Sequence, residues 1–145
     1  MSRKNLNTVL ATAVVLFTFY LAISFIAAPA TSAPGFGLPH WPAGDGGGFL
    51  IVKGSRELAM GLGMGILLVT GQRHALGWVV LMTAVAPFGD MINVLAHHGS
   101  TATALGVHGL TSALIAVTGL LIVRETSKAP RAQKAAAPAP AAQPA

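Results

Sequence analysis

The chain contains no cysteine, so disulfide bonds, thiolate nucleophiles and cysteine-based metal sites are all excluded. Charge is also scarce, since only 9% of the 145 residues are Asp, Glu, Lys or Arg, whereas 53% are hydrophobic. A soluble domain normally carries about 25% charged residues. The composition therefore indicates an integral membrane protein.

Long stretches with few or no charges make up most of the chain. The first, residues 9–28, is long enough for a helix that crosses the ~30 Å hydrocarbon core of a bilayer. Three more spans are predicted at about 49–70, 74–96 and 101–123. Their short connections predict antiparallel neighbours, and the bulky first span is expected at the periphery. The predicted fold is all-α, an integral membrane four-helix bundle formed by residues 1–126.

The first span has a second interpretation. Arg3 and Lys4 precede it and Ala28-Pro29-Ala30 follows it, which is also the arrangement of a secretory signal peptide with an A-x-A cleavage site. Its apolar region is too long for that, so a retained helix is predicted. Whether the mature protein keeps this helix stays open at this point.

The few basic residues indicate the orientation of the spans. The net charge is +5, but the basic residues flank apolar segments, so no nucleic-acid partner is predicted. Cytoplasmic loops of membrane proteins are enriched in Lys and Arg, which predicts a multi-pass protein of the cytoplasmic membrane with both termini inside. The Ala/Pro-rich residues 127–145 are predicted to form a disordered cytoplasmic tail. Four spans place seven of the nine basic residues on one side: Arg3, Lys4, Arg73, Arg124, Lys128, Arg131 and Lys134.

The remaining charges form a layer in the predicted outer half of the bundle. Glu57, Asp90 and His108 each lie roughly 10 Å below the outer end of their helix, at a rise of about 1.5 Å per residue. No comparable layer is predicted in the inner half. Charges inside a bilayer are costly unless they are paired. We therefore predict that Lys53 pairs with Glu57 at i+4, and that Arg56 reaches across to Asp90.

Helical spacing predicts how this layer becomes a pocket. Asp90, Asn93 and His97 follow an i, i+3, i+7 pattern on one helix face. Pro87 should kink the third span and open a cavity beside the layer. Its predicted apolar floor is Met60 and Met64, and its predicted roof is the loop from Pro29 to Gly48. The predicted ligand-binding residues are Lys53, Arg56, Glu57, Asp90, Asn93, His97 and His108.

Glycines in the second span predict close helix packing rather than nucleotide binding. Gly61 and Gly65 have the small-x-x-x-small spacing that lets membrane helices approach closely, and Ser55, Ala59 and Gly63 form a second ridge of the same kind.

The histidines argue against a metal site and leave the cofactor open. His97 and His98 are adjacent, which is poor geometry for two ligands of one metal ion, and no cysteine is present. No metal is predicted. Haem needs only one or two imidazoles, so a haem held by His97 or His108 remains an alternative to a bound quinone.

Three stretches resemble one family of small membrane proteins: "KGSRELAMGLGMG", "APFGDMINVLAHHG" and "GVHGL". The sequence is similar, over about residues 33–124, to the proteins grouped as domain of unknown function 4267, which are DoxX-like in layout. The resemblance implies a four-helix membrane protein without an assigned activity. It also implies that Arg56-Glu57, Asp90 and His108-Gly109 are signature positions.

The sequence predicts a membrane protein that binds a small lipophilic or amphipathic ligand, a quinone or a lipid. One alternative is a membrane enzyme, an isomerase or oxidoreductase, in which Glu57 or Asp90 works with His108 as the catalytic acid/base pair. The other is an accessory subunit whose charges form a purely structural network. Membrane lipid is the expected surrounding partner, and the oligomeric state is left open.

Overall fold

The computed structural model describes residues 2–41 and 44–136, and the chain is helical throughout this part, with no β-strand. Short helices flank or interrupt the long ones: a 3₁₀ turn covers Pro34–Phe36, and a π-helical segment covers Ala104–Gly109. The all-α prediction is confirmed. The α-helices are α1 (Arg3–Ala27), α2 (Pro29–Ser32), α3 (Gly46–Val69), α4 (Arg73–Thr83), α5 (Val85–Ala96), α6 (Thr101–Thr103) and α7 (Leu110–Ala136).

Three helical segments are long and apolar enough to cross a membrane: Arg3–Ala27, Arg73–Ala96 and Thr101–Ser127. Helix α3 has 24 residues but carries three charges near its middle. Its exterior is nonetheless apolar, since Ile66 and Val69 are 58% and 82% exposed. An apolar exterior suits lipid rather than water, so these helices indicate a membrane protein. The number of crossings and the side on which each end lies stay predictions.

Helix α1 packs along α3, and the prediction that it lies at the periphery is wrong. A Cβ atom on Gly54 would lie 2.7 Å from Ile26 Cγ1, and one on Gly61 would lie 3.4 Å from the Phe19 ring. These glycines let the bulky side chains of α1 approach the backbone of α3, as the Gly61-x-x-x-Gly65 spacing predicts. The second predicted ridge does not pack in this way, because Ser55 and Ala59 are exposed and no atom lies within 4 Å of a Cβ on Gly63.

Helices α4 and α7 form a second close pair. A Cβ on Gly77 would lie 2.9 Å from Val123 Cγ2, and one on Gly119 would lie 2.6 Å from the backbone nitrogen of Leu81. Both glycines therefore allow contact between helix backbones. The main hydrophobic core lies where the two pairs meet; its fully buried members include Met64, Leu76, Val80 and Ile122.

The third predicted span is broken next to Pro87, as the sequence predicts. Helix α4 ends at Thr83 and α5 begins at Val85. Proline cannot donate a backbone hydrogen bond to the residue four positions earlier, which frees that turn of the helix. The Ser112 hydroxyl on α7 donates to the Ala84 carbonyl at 2.9 Å, so a neighbouring helix satisfies the broken segment.

The fourth helix is longer than predicted. It continues to Ala136, beyond the predicted end of the span at residue 123 and into the segment predicted to be disordered from residue 127. Alanine, lysine, arginine and glutamine are strong helix formers, which favours this extension despite Pro130. Residues 137–145, the rest of the predicted tail, lie outside the described residues.

The bundle has two ends, which we name by the segments that lie there. We call the loop end the one at which α1 ends and α3 begins, where the turn between α5 and α6 also lies. The terminus end is the opposite one, at which α1 begins and α3 turns into α4. The candidate site lies toward the loop end.

Candidate functional site

Lys53 is the centre of the charged layer. It lies on α3, and its Nζ is 2.9 Å from Asp90 Oδ2 on α5. The same Nζ is 3.8 Å from Glu57 Oε1, one helical turn further along α3. The first contact is a charge-assisted hydrogen bond, while the second is too long for one and is an ion pair only. The predicted Lys53–Glu57 pair is therefore present, and Lys53 also joins α3 to α5.

The predicted pair of Arg56 with Asp90 is wrong. Arg56 is exposed, and within the part of the chain that the structure describes its side chain makes no salt bridge or hydrogen bond. Successive helical residues point about 100° apart. Since Glu57 is buried toward α5, Arg56 must face outward, and the position opposite Asp90 belongs to Lys53.

Two aromatic rings lie beside the Lys53 ammonium group. Its Nζ lies 5.7 Å from the centroid of the Phe25 ring and 5.5 Å from that of Phe36. The face of an aromatic ring attracts a cation at such distances. Helix α1 and the 3₁₀ turn thus help to hold the ammonium group in a largely apolar surrounding.

His108 is held by the 3₁₀ turn. It lies in the π-helical segment, it is buried, and its Nε2 is 2.8 Å from the Phe36 carbonyl oxygen. A carbonyl only accepts hydrogen bonds, so Nε2 carries the hydrogen, and Nδ1 of the neutral ring has a free lone pair. The imidazole also packs on the Phe36 ring, with 4.9 Å between the ring centroids.

The segment around Phe36 is tied to the turn after α5. The Gly37 carbonyl accepts a hydrogen bond from the Ser100 backbone N–H at 2.8 Å. Gly37 has a φ of 93°, in the left-handed region that favours glycine. A Cβ on Gly37 would lie 2.8 Å from Thr103 Cβ, so a larger residue would not fit. This contact fixes Phe36 above the charged layer.

A cavity of about 480 Å³ lies beside these groups. Lys53, Glu57, Asp90 and His108 supply its charged and titratable lining. Thr83 and Pro87 at the helix break also line it, while α1 contributes Phe17, Thr18, Tyr20, Leu21, Ser24 and Phe25. From the loop predicted as the roof, Thr31, Ser32, Gly35 and Phe36 line the cavity.

Some predicted site residues lie elsewhere. Arg56, Asn93 and His97 do not line this cavity. Asn93 lines a neighbouring recess with His40 and Trp41, and Phe36 and Lys53 line both spaces. Helix α5 ends at Ala96, so His97 starts the turn, where its Nδ1 lies 2.9 Å from the Asn93 carbonyl. The predicted methionine floor is also wrong, because Met64 is fully buried in the core and Met60 packs against it.

A second polar cluster, which the sequence does not predict, lies at the terminus end. Arg73 Nη2 lies 3.0 Å from Glu125 Oε2, and its Nη1 donates to the Thr8 hydroxyl at 2.8 Å. Asn7, which is buried, donates to Glu125 as well. The sequence does not predict this cluster, because Arg73 fits the pattern of a topology signal. The members of the cluster lie outside the predicted spans, so the absence of a comparable layer deep in the inner half stays a prediction. The polar Asn7 at the start of an apolar helix was the available signal.

No group of three or more His, Asp or Glu side chains within the described ranges is arranged to hold a metal ion. Quinone and haem remain predictions that rest on the sequence.

The sequence model of one protein family matches residues 15–122 of the chain. That range contains the whole cavity lining, from Phe17 to Ile115. The family is described as Domain of unknown function (DUF4267). The chain belongs to this family. No curated protein and no solved structure matches the chain, so the DoxX-like layout of this DUF4267 member stays a prediction.

The corrected position of Arg56 leads to a first prediction. Arg56→Gln should change the free energy of unfolding in detergent by no more than about 0.5 kcal/mol, as for other exposed positions. Its effect should add to that of Asp90→Asn, since the two side chains share no contact. Equilibrium unfolding of the two single variants and the double variant measures this. A coupling free energy above about 1 kcal/mol would contradict this prediction and support an Arg56–Asp90 pair.

Proposed function

We propose that this membrane protein binds a small amphipathic molecule, a quinone or a lipid, in the cavity beside Lys53. The polar head of the ligand would contact Lys53, Glu57, Asp90 and His108, and its apolar body would lie against α1. We further propose that the four long helical segments all cross the cytoplasmic membrane, with both termini in the cytoplasm.

The observation that carries this proposal is the two-sided lining of the cavity. Ion-paired side chains lie on the walls formed by α3 and α5, whereas Phe17, Leu21 and Phe25 form an apolar wall on α1. Ligand pockets are typically about 300–1,000 Å³, mainly apolar, with a few convergent polar groups. The volume of about 480 Å³ falls within that range.

The sides of the cavity support access from lipid. Phe17 and Tyr20 on α1 line the cavity and are 40% and 63% exposed, and Val107 opposite them is 49% exposed. We propose that the cavity opens sideways here, between α1 and the π-helical segment. In a bilayer, that opening would face acyl chains, so an apolar ligand could enter without crossing water.

A second candidate function is acid/base catalysis on such a ligand. The observation that favours it is the hydrogen bond from His108 to the Phe36 carbonyl, because it leaves Nδ1 as a base in a cavity that also holds two carboxylates. A fixed tautomer and a nearby acid are what proton transfer requires. The third interpretation, a purely structural charge network, is favoured by the direct Lys53–Asp90 contact.

The test uses the full chain purified in a mild detergent. Mass spectrometry and absorption spectra would identify the co-purified molecule. We expect Asp90→Asn to retain no more than about a tenth of the amount that wild type retains, since a charge-assisted contact is lost. Asp45→Asn is the matched control, because Asp45 is exposed and does not line the cavity. Circular dichroism would verify that both variants fold.

Three outcomes separate the interpretations. Loss of the bound molecule in folded Asp90→Asn supports a binding site. A wild-type protein that retains no small molecule, together with a destabilised Asp90→Asn, supports the structural network. Chemical conversion of the bound molecule by wild type but not by His108→Gln supports the enzyme, because glutamine can still donate to the Phe36 carbonyl but is not a base.

A further inference from the structure

We infer that the head group of the ligand is a hydrogen-bond donor, a phenolic or alcoholic hydroxyl, so that a hydroquinone would bind in preference to its oxidised quinone. This inference rests on the proposed function, because it specifies the ligand of the same cavity. It comes from the balance of hydrogen-bond donors and acceptors that the cavity presents.

The charged residues of the cavity are unequal in number. Two carboxylates, Glu57 and Asp90, face one ammonium group, that of Lys53. Arg56, whose charge would balance them, is exposed and does not line the cavity. The layer therefore has two carboxyl groups for one ammonium group, and each carboxyl group carries oxygen atoms that accept hydrogen bonds.

The carboxylates also keep unused acceptor positions. Asp90 Oδ2 accepts from Lys53 at 2.9 Å, whereas Glu57 lies 3.8 Å from the same nitrogen and accepts no hydrogen bond from any described residue. No oxygen of Glu57 or Asp90 is among the fully buried side-chain atoms that lack a hydrogen-bond partner. The free oxygens are therefore accessible, and both residues line the cavity.

Several hydroxyl groups of the lining have already used their hydrogen. Thr18 donates to the Val14 carbonyl at 2.9 Å, Ser32 to the Ser24 carbonyl at 3.0 Å, and Thr83 to the Val79 carbonyl at 2.9 Å. A hydroxyl has one hydrogen and two lone pairs, so these three side chains can only accept from a ligand.

The donors of the lining are fewer. The Lys53 ammonium group has three N–H groups; one bonds to Asp90, and the others lie toward Glu57 and the rings of Phe25 and Phe36. The Nε2 hydrogen of His108 is bound to the Phe36 carbonyl, and Nδ1 of the neutral ring is an acceptor. Tyr20, Ser24, Thr31 and Thr111 keep hydroxyls that can act either way. Acceptors therefore predominate, and a ligand without a donor would leave them unpaired.

A matched pair of probes tests this inference: 4-octylphenol and 4-octylanisole. They share an apolar body, and only the phenol can donate a hydrogen bond. Calorimetric titration of the full chain in detergent should show the phenol binding about tenfold or more tightly than the anisole, since a hydrogen bond to a charged acceptor contributes at least that factor. Titration of empty micelles corrects for partitioning of each probe.

Variants of Glu57 and Asp90 test whether these two residues cause the preference for the phenol over the anisole. In the double variant Glu57→Gln/Asp90→Asn, the ratio of the two dissociation constants should fall to about threefold or less, whereas Asp45→Asn should keep the wild-type ratio. Gel filtration and circular dichroism verify folding. If the double variant does not fold, the single variant Glu57→Gln, which keeps the Lys53–Asp90 contact, should show a reduced ratio.

The outcomes are distinguishable. Equal binding of phenol and anisole would overturn the donor inference and leave the proposed binding function intact. Binding of neither probe would overturn both. Octyltrimethylammonium, a cation without an N–H donor, is the last probe: if it binds as tightly as the phenol, negative charge rather than hydrogen-bond donation selects the ligand, and the inference fails.

Discussion

Replacing Lys53 with methionine is expected to lower the free energy of unfolding by about 2–3 kcal/mol. The change leaves Glu57 and Asp90 side by side without a cation, and removing one partner of a buried ion pair typically costs about 3–5 kcal/mol. The lower value applies because the Lys53 and Asp90 side chains are 25% and 24% exposed. Methionine keeps an unbranched apolar chain between Phe25 and Phe36. Equilibrium unfolding in mixed detergent micelles measures the difference.

The second substitution shows whether charge is the cause. Adding Asp90→Asn to Lys53→Met removes one of the two unpaired carboxylates and should restore more than half of the lost free energy. Two residues in direct contact commonly show coupling of about 0.5–3 kcal/mol in a double-mutant cycle. Additive losses would mean that Lys53 acts through packing alone. Arg56 and Asp90, in contrast, are expected to be additive. The two cycles together therefore test whether Lys53 or Arg56 is the partner of Asp90.

Gly119→Ala should destabilise the fold by about 3 kcal/mol, a value at the upper end of typical overpacking costs. The added Cβ would lie 2.6 Å from the backbone nitrogen and 2.7 Å from the Cα of Leu81. These are backbone atoms, so relief requires α4 to move away from α7 rather than a side chain to rotate. Thermal unfolding monitored by circular dichroism checks the loss.

Gly63→Ala is the matched control for Gly119→Ala. No atom lies within 4 Å of a Cβ at Gly63, which lies in the interior of α3. Alanine is favoured over glycine inside a helix by up to about 1 kcal/mol, so this variant should be neutral or more stable. If Gly63→Ala and Gly119→Ala lost the same free energy of unfolding, the α4–α7 contact would not be the cause of the loss at Gly119.

The sequence predicts the helices and the common level of Glu57, Asp90 and His108 along the bundle, because both depend on helical spacing along one helix at a time. The hydrophobic pattern and Pro87 predict the helices and the break in the third span. The i+4 spacing predicts the Lys53–Glu57 pair. Each of these features depends only on local spacing and chemistry.

What the sequence does not predict is how each helix rotates about its own axis. The polar residues Lys53, Arg56 and Glu57 fit two different rotations of α3, and only packing against α1, through Gly54 and Gly61, selects the one that points Arg56 outward. The same limit applies to Asn93, which lies on α5 with Asp90 but does not reach the cavity; His97 does not reach it because α5 has already ended at Ala96.

The contribution of α1 was invisible for a different reason. Its cavity residues, among them Phe17, Leu21 and Phe25, are apolar side chains in an apolar helix, and no pattern separates the ones that line a cavity from those that face lipid. The terminus-end cluster of Asn7, Arg73 and Glu125 joins three helices that are far apart along the chain. Such contacts depend on the tertiary arrangement, which hydrophobic periodicity does not encode.

Because His108 lies in a π-helical segment, the number of residues in that segment helps to determine the geometry of the site. The Leu110 backbone N–H bonds to the Leu105 carbonyl, five residues earlier, so the segment holds one more residue than an α-helical turn would. A single-residue deletion between Ala104 and Gly109 would return the segment to α-helix and give the residues within it new directions around the helix axis. His108 could then remain in the sequence and still turn away from Phe36. Substitutions alone would not reveal this loss of the His108–Phe36 contact, because the position of the imidazole depends on the number of residues in the segment as well as on their identity.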